Sequence, residues 1–506
     1  MTDEKRRELD EKLVQVLPSA RQFAHQQLEF YGFVHFTVNT FTDKEWGDGS
    51  EAESVFAPSA LDAEQWVRVA KEGGMRGLIL TCKHHDGFCL WPSAYSTHTV
   101  ANSPYKDGRG DVVRELAEAC QKEGLKFGVY LSPWDRNSAL YGQGKAYDDY
   151  FVAQLTELLT QYGPVFCVWF DGACGEGPNG KQQVYDWDRY YETIRRLQPD
   201  ACISVSGPDI RWCGNEAGDT RESEWSVVPA ALFDQRKITE NSQQADTAAF
   251  REKKIADSDR DLGSRAVMAR ADSRPIWYPA EVNTSIRPGW FYHREEDDKV
   301  KSLEELKSVY LRAVGGNATF LLNLPPDIRG RFCEKDEERL RELGAWIAST
   351  FDRKKNLALF SEWEVSAENV GKGELSEALF DDSCDTWYEP RKAENALEQA
   401  AEESMKMRLL LSWKEAQEVR YLVLKENIRD RSQRIERFRI LAEMDGQRKE
   451  IAAGTTVGYQ KIVDLPKGCR TQRLEVLVLD SRMAPTLSYV GVFGESEGVP
   501  CSEASR

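Results

Sequence analysis

Val165-Phe166-Cys167-Val168-Trp169-Phe170-Asp171-Gly172 is an unbroken apolar run that ends on a carboxylate, with a glycine to turn the chain at once. A run of this kind, too short for a helix and apolar at every position, reads as a strand buried on both faces of a parallel sheet. Such a strand carries Asp171 at its C-terminal tip, where open α/β sheets and α/β barrels assemble their ligand sites. Asp also caps turns and helices, so this stretch alone gives Asp171 two readings. The rest of the chain decides between them.

Working outward, similar runs recur at residues 33–38, 77–82, 126–132, 202–206, 224–228, 275–282 and 319–324. Between them, residues 60–73, 111–124, 148–162 and 186–197 carry apolar side chains at i, i+3, i+4 spacing, several opened by Ser or Asp and closed by Gly. Val112, Leu116 and Cys120, for example, share one helical face. Strands alternating with helices imply a parallel sheet. Eight of them in about 300 residues predict an α/β fold of the (β/α)8 barrel type, with an open doubly wound sheet as the alternative. One stretch breaks the rhythm: residues 234–272 are polar, rich in Gln, Arg, Lys and Asp, and are expected to form a functional loop or a disordered insert, the position on the catalytic side favouring a lid. From Asn356 onward the texture changes to short β-prone stretches at 407–413, 418–424, 435–442 and 473–478. The expected organisation is an N-terminal helical segment at 1–28, a barrel at 29–350 and a β-sandwich at 351–506.

Composition narrows the class. The 506 residues exceed what one core normally serves, and 41% hydrophobic with 30% charged is ordinary for a large globular chain. A net charge of −17 argues against nucleic acid or an anionic membrane surface as partner, because both reward Lys/Arg excess. No apolar h-region opens the chain and no run is long enough to span a bilayer. Eleven cysteines, an odd number without CxxC spacing, suit reduced thiols, so a cytoplasmic location is expected.

The predicted strand tips carry a coherent set of groups. The first strand holds His35 and leads to Asn39, Glu45 and Trp46; the second ends in Lys83-His84-His85-Asp86-Gly87. The third ends in Pro133-Trp134-Asp135 and the fourth in Trp169-Phe170-Asp171. The fifth runs into Arg211-Trp212-Cys213-Gly214-Asn215-Glu216, and the seventh ends in Glu281 with Arg287 and Trp290 just beyond. Carboxylates, imidazoles and indoles on one rim suit a sugar, whose hydroxyls need hydrogen bonds and whose apolar face stacks on aromatic rings. Glycoside cleavage further needs two carboxyl groups, one ionised and one protonated. Each group also has a structural reading. Glu45, Glu222, Glu224 and Glu281 could be rim salt bridges, Trp134 and Trp290 core caps. His84, His85 and Asp86 could bind a metal, but no His-x-His or HExxH accompanies them, so no metal is expected.

The motifs at 34–47 (Val-His-Phe-Thr-Val-Asn-Thr-Phe-Thr-Asp-Lys-Glu-Trp-Gly), 83–88 (Lys-His-His-Asp-Gly-Phe) and 169–172 (Trp-Phe-Asp-Gly), in that order, resemble the α-L-fucosidases of glycoside hydrolase family 29. Those at 211–218, 277–293 and 316–327 resemble its α-1,3/1,4-specific subfamily. The resemblance covers about residues 28–350; Thr37 and Pro92 depart from the common pattern and bear on local loop shape. It implies a retaining exo-hydrolase without cofactor, acting on fucosylated, Lewis-type oligosaccharides. Asp171 would match the nucleophile and Glu216 the general acid/base, a choice that the residues alone leave open among Glu216, Glu222, Glu224 and Glu281. His35, Glu45, Trp46, His84, His85, Trp134 and Trp169 would match the fucose-binding positions, with Arg211, Glu281 and Trp290 completing the expected rim. The rival expectations are a fucosidase of broader linkage specificity, a metal-dependent amidohydrolase on the same barrel, and a non-catalytic sugar-binding barrel.

Overall fold

The computed structural model describes residues 1–242, 247–366, 379–390 and 406–495. Residues 243–246 of the polar stretch, and 367–378, 391–405 and 496–506 of the expected sandwich, lie outside the described residues.

Six strands, β1 (Phe30–Val34), β2 (Gly77–Lys83), β3 (Lys126–Leu131), β4 (Cys167–Phe170), β5 (Cys202–Val205) and β6 (Arg211–Trp212), belong to the main sheet. After a separate ribbon of β7 (Val227–Pro229) and β8 (Pro275–Trp277), β9 (Ala280–Ser285) and β10 (Thr319–Asn323) complete it. The spatial order is β5-β4-β3-β2-β1-β10-β9-β6 and all seven pairings are parallel. The ends of this sheet, β5 and β6, meet in a single parallel bridge, Ser204 to Ile210, which nearly closes it into the eight-stranded barrel that the sequence predicts.

Period-two alternation sorts the strand residues. On β4, Val168 and Phe170 face outward into the large core shared with the helices, while Cys167 and Trp169 join Tyr31, Phe33, Ile79, Tyr130, Val205 and Leu321 in the barrel interior. Helix starts follow the sequence signals. Asp111 caps Val112–Glu123 by accepting from Arg114 N, and Gly124 ends that helix in the left-handed region.

Two strand expectations need correction. Residues 224–228 do not supply the sixth barrel strand; β7 pairs antiparallel with β8, and the two-residue β6 pairs with β9 instead. The run at 275–282 is likewise two elements, divided at Tyr278-Pro279, where proline interrupts the ladder. The polar stretch carries short helices at Gln235–Ser242, Ala248–Arg251 and Arg265–Met268.

The helix Ala20–Gln26 crosses the N-terminal end of the barrel. Its Gln22 Nε2 donates to Asp209 O and Trp277 O, both at 2.9 Å, and His25 Nε2 meets Tyr31 Oη at 2.8 Å. Beyond the helix Glu334–Thr350, strands β11 (Glu362–Ser366), β12 (Met407–Glu418), β13 (Tyr421–Lys425), β14 (Ile435–Met444), β15 (Gln447–Gly454), β16 (Lys461–Asp464), β17 (Arg470–Ser481) and β18 (Tyr489–Phe493) follow. They form antiparallel sheets β11-β12-β17-β14-β15 and β16-β13-β18 around their own apolar core. This is the sandwich-like C-terminal unit expected from the sequence.

Candidate active site

The alternation that buries Cys167 and Trp169 inside the barrel also aims the next residue of that set, Asp171, into its mouth. Gly172 follows at φ +76, and a Cβ there would collide with Ser206 Oγ, so the immediate turn depends on glycine. Asp171 shares one cavity with His35, Glu45, Trp46, His84, His85, Trp169, Glu216 and Trp290. These nine expected rim residues come from six separate stretches of chain.

Asp171 Oδ2 accepts from Tyr130 Oη at 2.5 Å and Oδ1 from Ala173 N at 3.0 Å. Burial pushes its carboxyl up to about 6, and the Tyr130 hydroxyl and backbone donors limit that rise by favouring the anion. Glu216 sits in the turn after β6, and its Oε2 accepts from Trp290 Nε1 at 2.9 Å. Burial raises it to about 7; the Trp290 donor and the Arg251 charge oppose the rise, whereas Glu45 adds to it. Of the three carboxyl groups on the cavity, Glu45, Asp171 and Glu216, the weakest acid is Glu216.

Three neutral imidazoles border them, and the partners of His85 and His35 assign their tautomers. Ser132 Oγ donates to Trp134 O at 2.7 Å, so His85 Nδ1–H donates to Ser132 Oγ at 2.8 Å and Nε2 is left as an acceptor, 3.4 Å from Asp171 Oδ2. The Asn323 amide nitrogen donates to Ser285 Oγ and Trp290 O, so its carbonyl accepts His35 Nδ1–H at 2.7 Å and His35 Nε2 is again an acceptor. Asn39 Nδ2 faces His84 Nδ1 at 3.5 Å. Burial holds His35 at about 4 and His85 at about 3, and His84 well below the usual range. Uncharged acceptors side by side match the hydroxyl groups of a sugar.

Glu45 joins three parts of the rim. It accepts from Trp290 N at 3.0 Å and Phe291 N at 3.3 Å, pairs with His293 Nε2 at 2.7 Å, and lies 3.9 Å from Arg251. Burial pushes Glu45 upward, but His293, the Trp290 amide and Arg251 outweigh it, so its carboxyl lies below the ordinary value. His293 rises in turn to about 9, chiefly through its bond to Glu45.

Three expected rim residues lie off the cavity. Trp134 stands behind it, packed on His85 at 4.8 Å and edge-on to Trp46 at 5.6 Å. Glu281 is fully buried beneath Trp169, accepting from Trp169 Nε1 at 2.8 Å and Tyr31 Oη at 2.5 Å. Arg211 is buried against Glu224 and donates to Tyr278 O at 2.9 Å. The rim-bridge reading holds for Glu224, which binds both Arg211 and Arg221, and Glu222 is exposed. Sequence reasoning missed Tyr130 and Phe250, and placed Trp212 and Asn283 only within motifs; all four line the cavity. Tyr130 was legible as the residue two before Ser132 on an inward-facing set, but Phe250 lies in the polar stretch and carries no such period. Among the described residues no group of three or more His, Cys, Asp or Glu could hold a metal ion.

The family model described as Alpha-L-fucosidase matches residues 19–350. The chain is 35% identical over 484 residues to Alpha-L-fucosidase 1 of Arabidopsis thaliana, an alignment covering 94% of this chain and 87% of that one. A glycoside hydrolase 29 family member from an unknown rumen bacterium is similar at 36% identity and TM-score 0.76, covering 97% and 79% of the two chains. A Ruminococcus gnavus GH29 fucosidase solved in complex with fucose superposes at TM-score 0.78 with 27% identity, covering 96% of each.

Proposed function

The chain belongs to the alpha-L-fucosidase family of glycoside hydrolases, and from that premise we propose that it is a retaining exo-enzyme with α-1,3/1,4 linkage preference. The observation carrying the mechanism is that Asp171 and Glu216 line one cavity, the first held by the Tyr130 hydroxyl and the second by the Trp290 indole, with burial raising both carboxyls. In this order Asp171 ionises first and Glu216 keeps its proton to higher pH. Asp171 attacks the anomeric carbon; the new carbon–oxygen bond forms as the glycosidic bond breaks and Glu216 protonates the departing oxygen. Water then cleaves the fucosyl-enzyme, and Glu216 takes its proton. The neutral imidazoles of His35, His84 and His85 hold the sugar hydroxyls.

Retention is tested by NMR of the first fucose released, which should be the α anomer. The role of Glu216 is tested by leaving group: Glu216→Ala should lose far more activity on oligosaccharides than on an activated aryl fucoside. Glu222→Ala should show no such contrast.

The linkage preference rests on Trp290. Its indole lines the cavity beside Glu216, on the loop after β9, where it can carry a second sugar of a Lewis-type branch. Binding energy gained there orients the glycosidic oxygen toward Glu216. Fucose release from α-1,2-, α-1,3-, α-1,4- and α-1,6-linked oligosaccharides is the deciding assay. Efficient α-1,2 cleavage would overturn the preference, and Trp290→Ala should narrow it more than it slows aryl fucoside hydrolysis.

A further inference from the structure

Glu216 is carried by the least regular side of the barrel, between a two-residue strand and a return segment that belongs to no barrel strand. The turn around it is closed by Asn215, whose Oδ1 accepts from Ala217 N and Asp219 N at 3.1 and 2.9 Å. A closed turn still needs its two ends fixed to the scaffold. The upstream end is Arg211 and the downstream end is Arg221, and both guanidinium groups converge on Glu224, a buried carboxylate. Arg221 also donates to Cys213 O at 3.0 Å, so the two ends are locked to each other as well.

Glu224 is in turn held from outside the barrel. Its carbonyl accepts from Asn317 Nδ2 at 2.7 Å and from Gln433 Nε2 at 3.4 Å, and Gln433 Oε1 accepts from Ser226 N at 2.8 Å. Gln433 is a fully buried residue of the C-terminal unit, just before β14. Asn317 is itself tied to that unit, since its Oδ1 accepts from Tyr459 N at 2.7 Å and its N donates to Gln460 O at 3.0 Å. Three further contacts run along the same segment: Ser223 with the Thr455 hydroxyl, Lys461 Nζ to Glu222 O at 3.3 Å, and the Arg482 guanidinium 4.2 Å above the Trp225 ring. Each residue from 222 to 226 is thus touched by the C-terminal unit directly or through Asn317.

We propose that the C-terminal sandwich sets the reach of the acid/base carboxyl, with Gln433, Asn317 and Glu224 as positioning residues that fix the loop bearing Glu216. This rests on the reading of Glu216 as the acid/base. The unit is then a working part of the catalytic apparatus, acting from behind the barrel wall. A carboxyl misplaced by about 1 Å can cost on the order of a hundredfold in rate, and the loss falls on the step that needs the proton.

The test compares full-length variants on an activated aryl fucoside and on an oligosaccharide with a poor leaving group. Gln433→Ala should lower the oligosaccharide rate roughly tenfold or more while leaving the aryl rate within about threefold. Thr455→Val, which removes one hydroxyl at nearly constant volume, should shift the same ratio less and keeps the test open should Gln433→Ala fold poorly. Val476→Ala, in the sandwich core away from the barrel, controls for lost stability and should leave the ratio unchanged. Equal losses on both substrates in Gln433→Ala and Thr455→Val, or the same ratio change in Val476→Ala, would overturn the proposal. Glu216→Ala run alongside separates the two readings. If it lacks leaving-group dependence the acid/base assignment fails; if it shows that dependence and Gln433→Ala does not, only the sandwich proposal fails.

Discussion

The indole nitrogen of Trp290 donates to Oε2 of Glu216 at 2.9 Å, so the aromatic residue at the cavity mouth also adjusts a carboxyl inside it. The donor favours the anion and holds Glu216 below the value that burial and Glu45 would set. Trp290→Phe keeps an aromatic face and removes the donor. Glu216 should then keep its proton to higher pH, and the alkaline limb of kcat/KM on an oligosaccharide should move upward. A downward or absent shift would show that Trp290 acts only as a surface.

The pH profile of the unmodified enzyme follows from the same pair. With the proposed roles, activity requires Asp171 ionised and Glu216 protonated, which predicts a bell with limbs at about 6 and about 7. Tyr130→Phe deletes the hydroxyl that favours the Asp171 anion, so its acid limb should move toward neutral pH and activity at pH 5–6 should fall most. An acid limb that moves down instead would contradict this placement of charge.

Asp171 also carries a stability cost. Its folded value is raised above the ordinary 3.8, so the ionised form is disfavoured by folding at pH above about 6. Asp171→Asn should therefore be inactive yet more heat-stable at pH 7–8, by on the order of 1 kcal/mol. The gain should shrink as pH falls through about 6 toward 3.8, where the native carboxyl is neutral as well. Thermal melts across that range check the sign.

Glu281 should behave oppositely to an acid/base. Glu281→Ala leaves Trp169 Nε1 without its acceptor in a buried site, at about 1–3 kcal/mol, while Tyr31 Oη keeps His25 Nε2 and Thr319 Oγ1 as partners. The thermal midpoint should fall by several degrees, and any loss of rate should be the same for good and poor leaving groups. Glu281→Gln keeps an acceptor for the indole and should recover most of the stability. A strong leaving-group dependence in either variant would move the acid to β9.

What the sequence made legible followed strong periodicity. The run at 165–172 predicts a strand with Asp171 at its tip, and the structure has β4 ending at Phe170 with Asp171 opening into the cavity. The helix caps at Asp111 and Gly124 were equally plain, because capping chemistry is local. Failures cluster where pattern is short or position is set by distant partners. Arg211–Trp212 is too brief to show any period, while Glu224-Trp225-Ser226-Val227-Val228 has β character without a place in the barrel. Arg211 and Glu281 are expected at strand tips, yet they lie at the starts of β6 and β9, at the opposite end of the barrel, where they meet buried partners. Such partners lie far along the chain, at Tyr278 for Arg211 and at Trp169 and Tyr31 for Glu281.

The single bridge between β5 and β6 makes the barrel a curled sheet with a seam. Every other neighbouring pair is zipped by at least two residue partners, so the lowest-energy opening of the molecule should begin there. The seam is fastened at its foot by Gln22, through Asp209 O and Trp277 O, and by Arg21 and Arg195 on the Asp209 carboxylate. Amide hydrogens of residues 203–213 should therefore exchange ahead of those in β1–β3, and faster still in Gln22→Ala. An N-terminal helix of seven residues would then govern how often the far side of the barrel breathes.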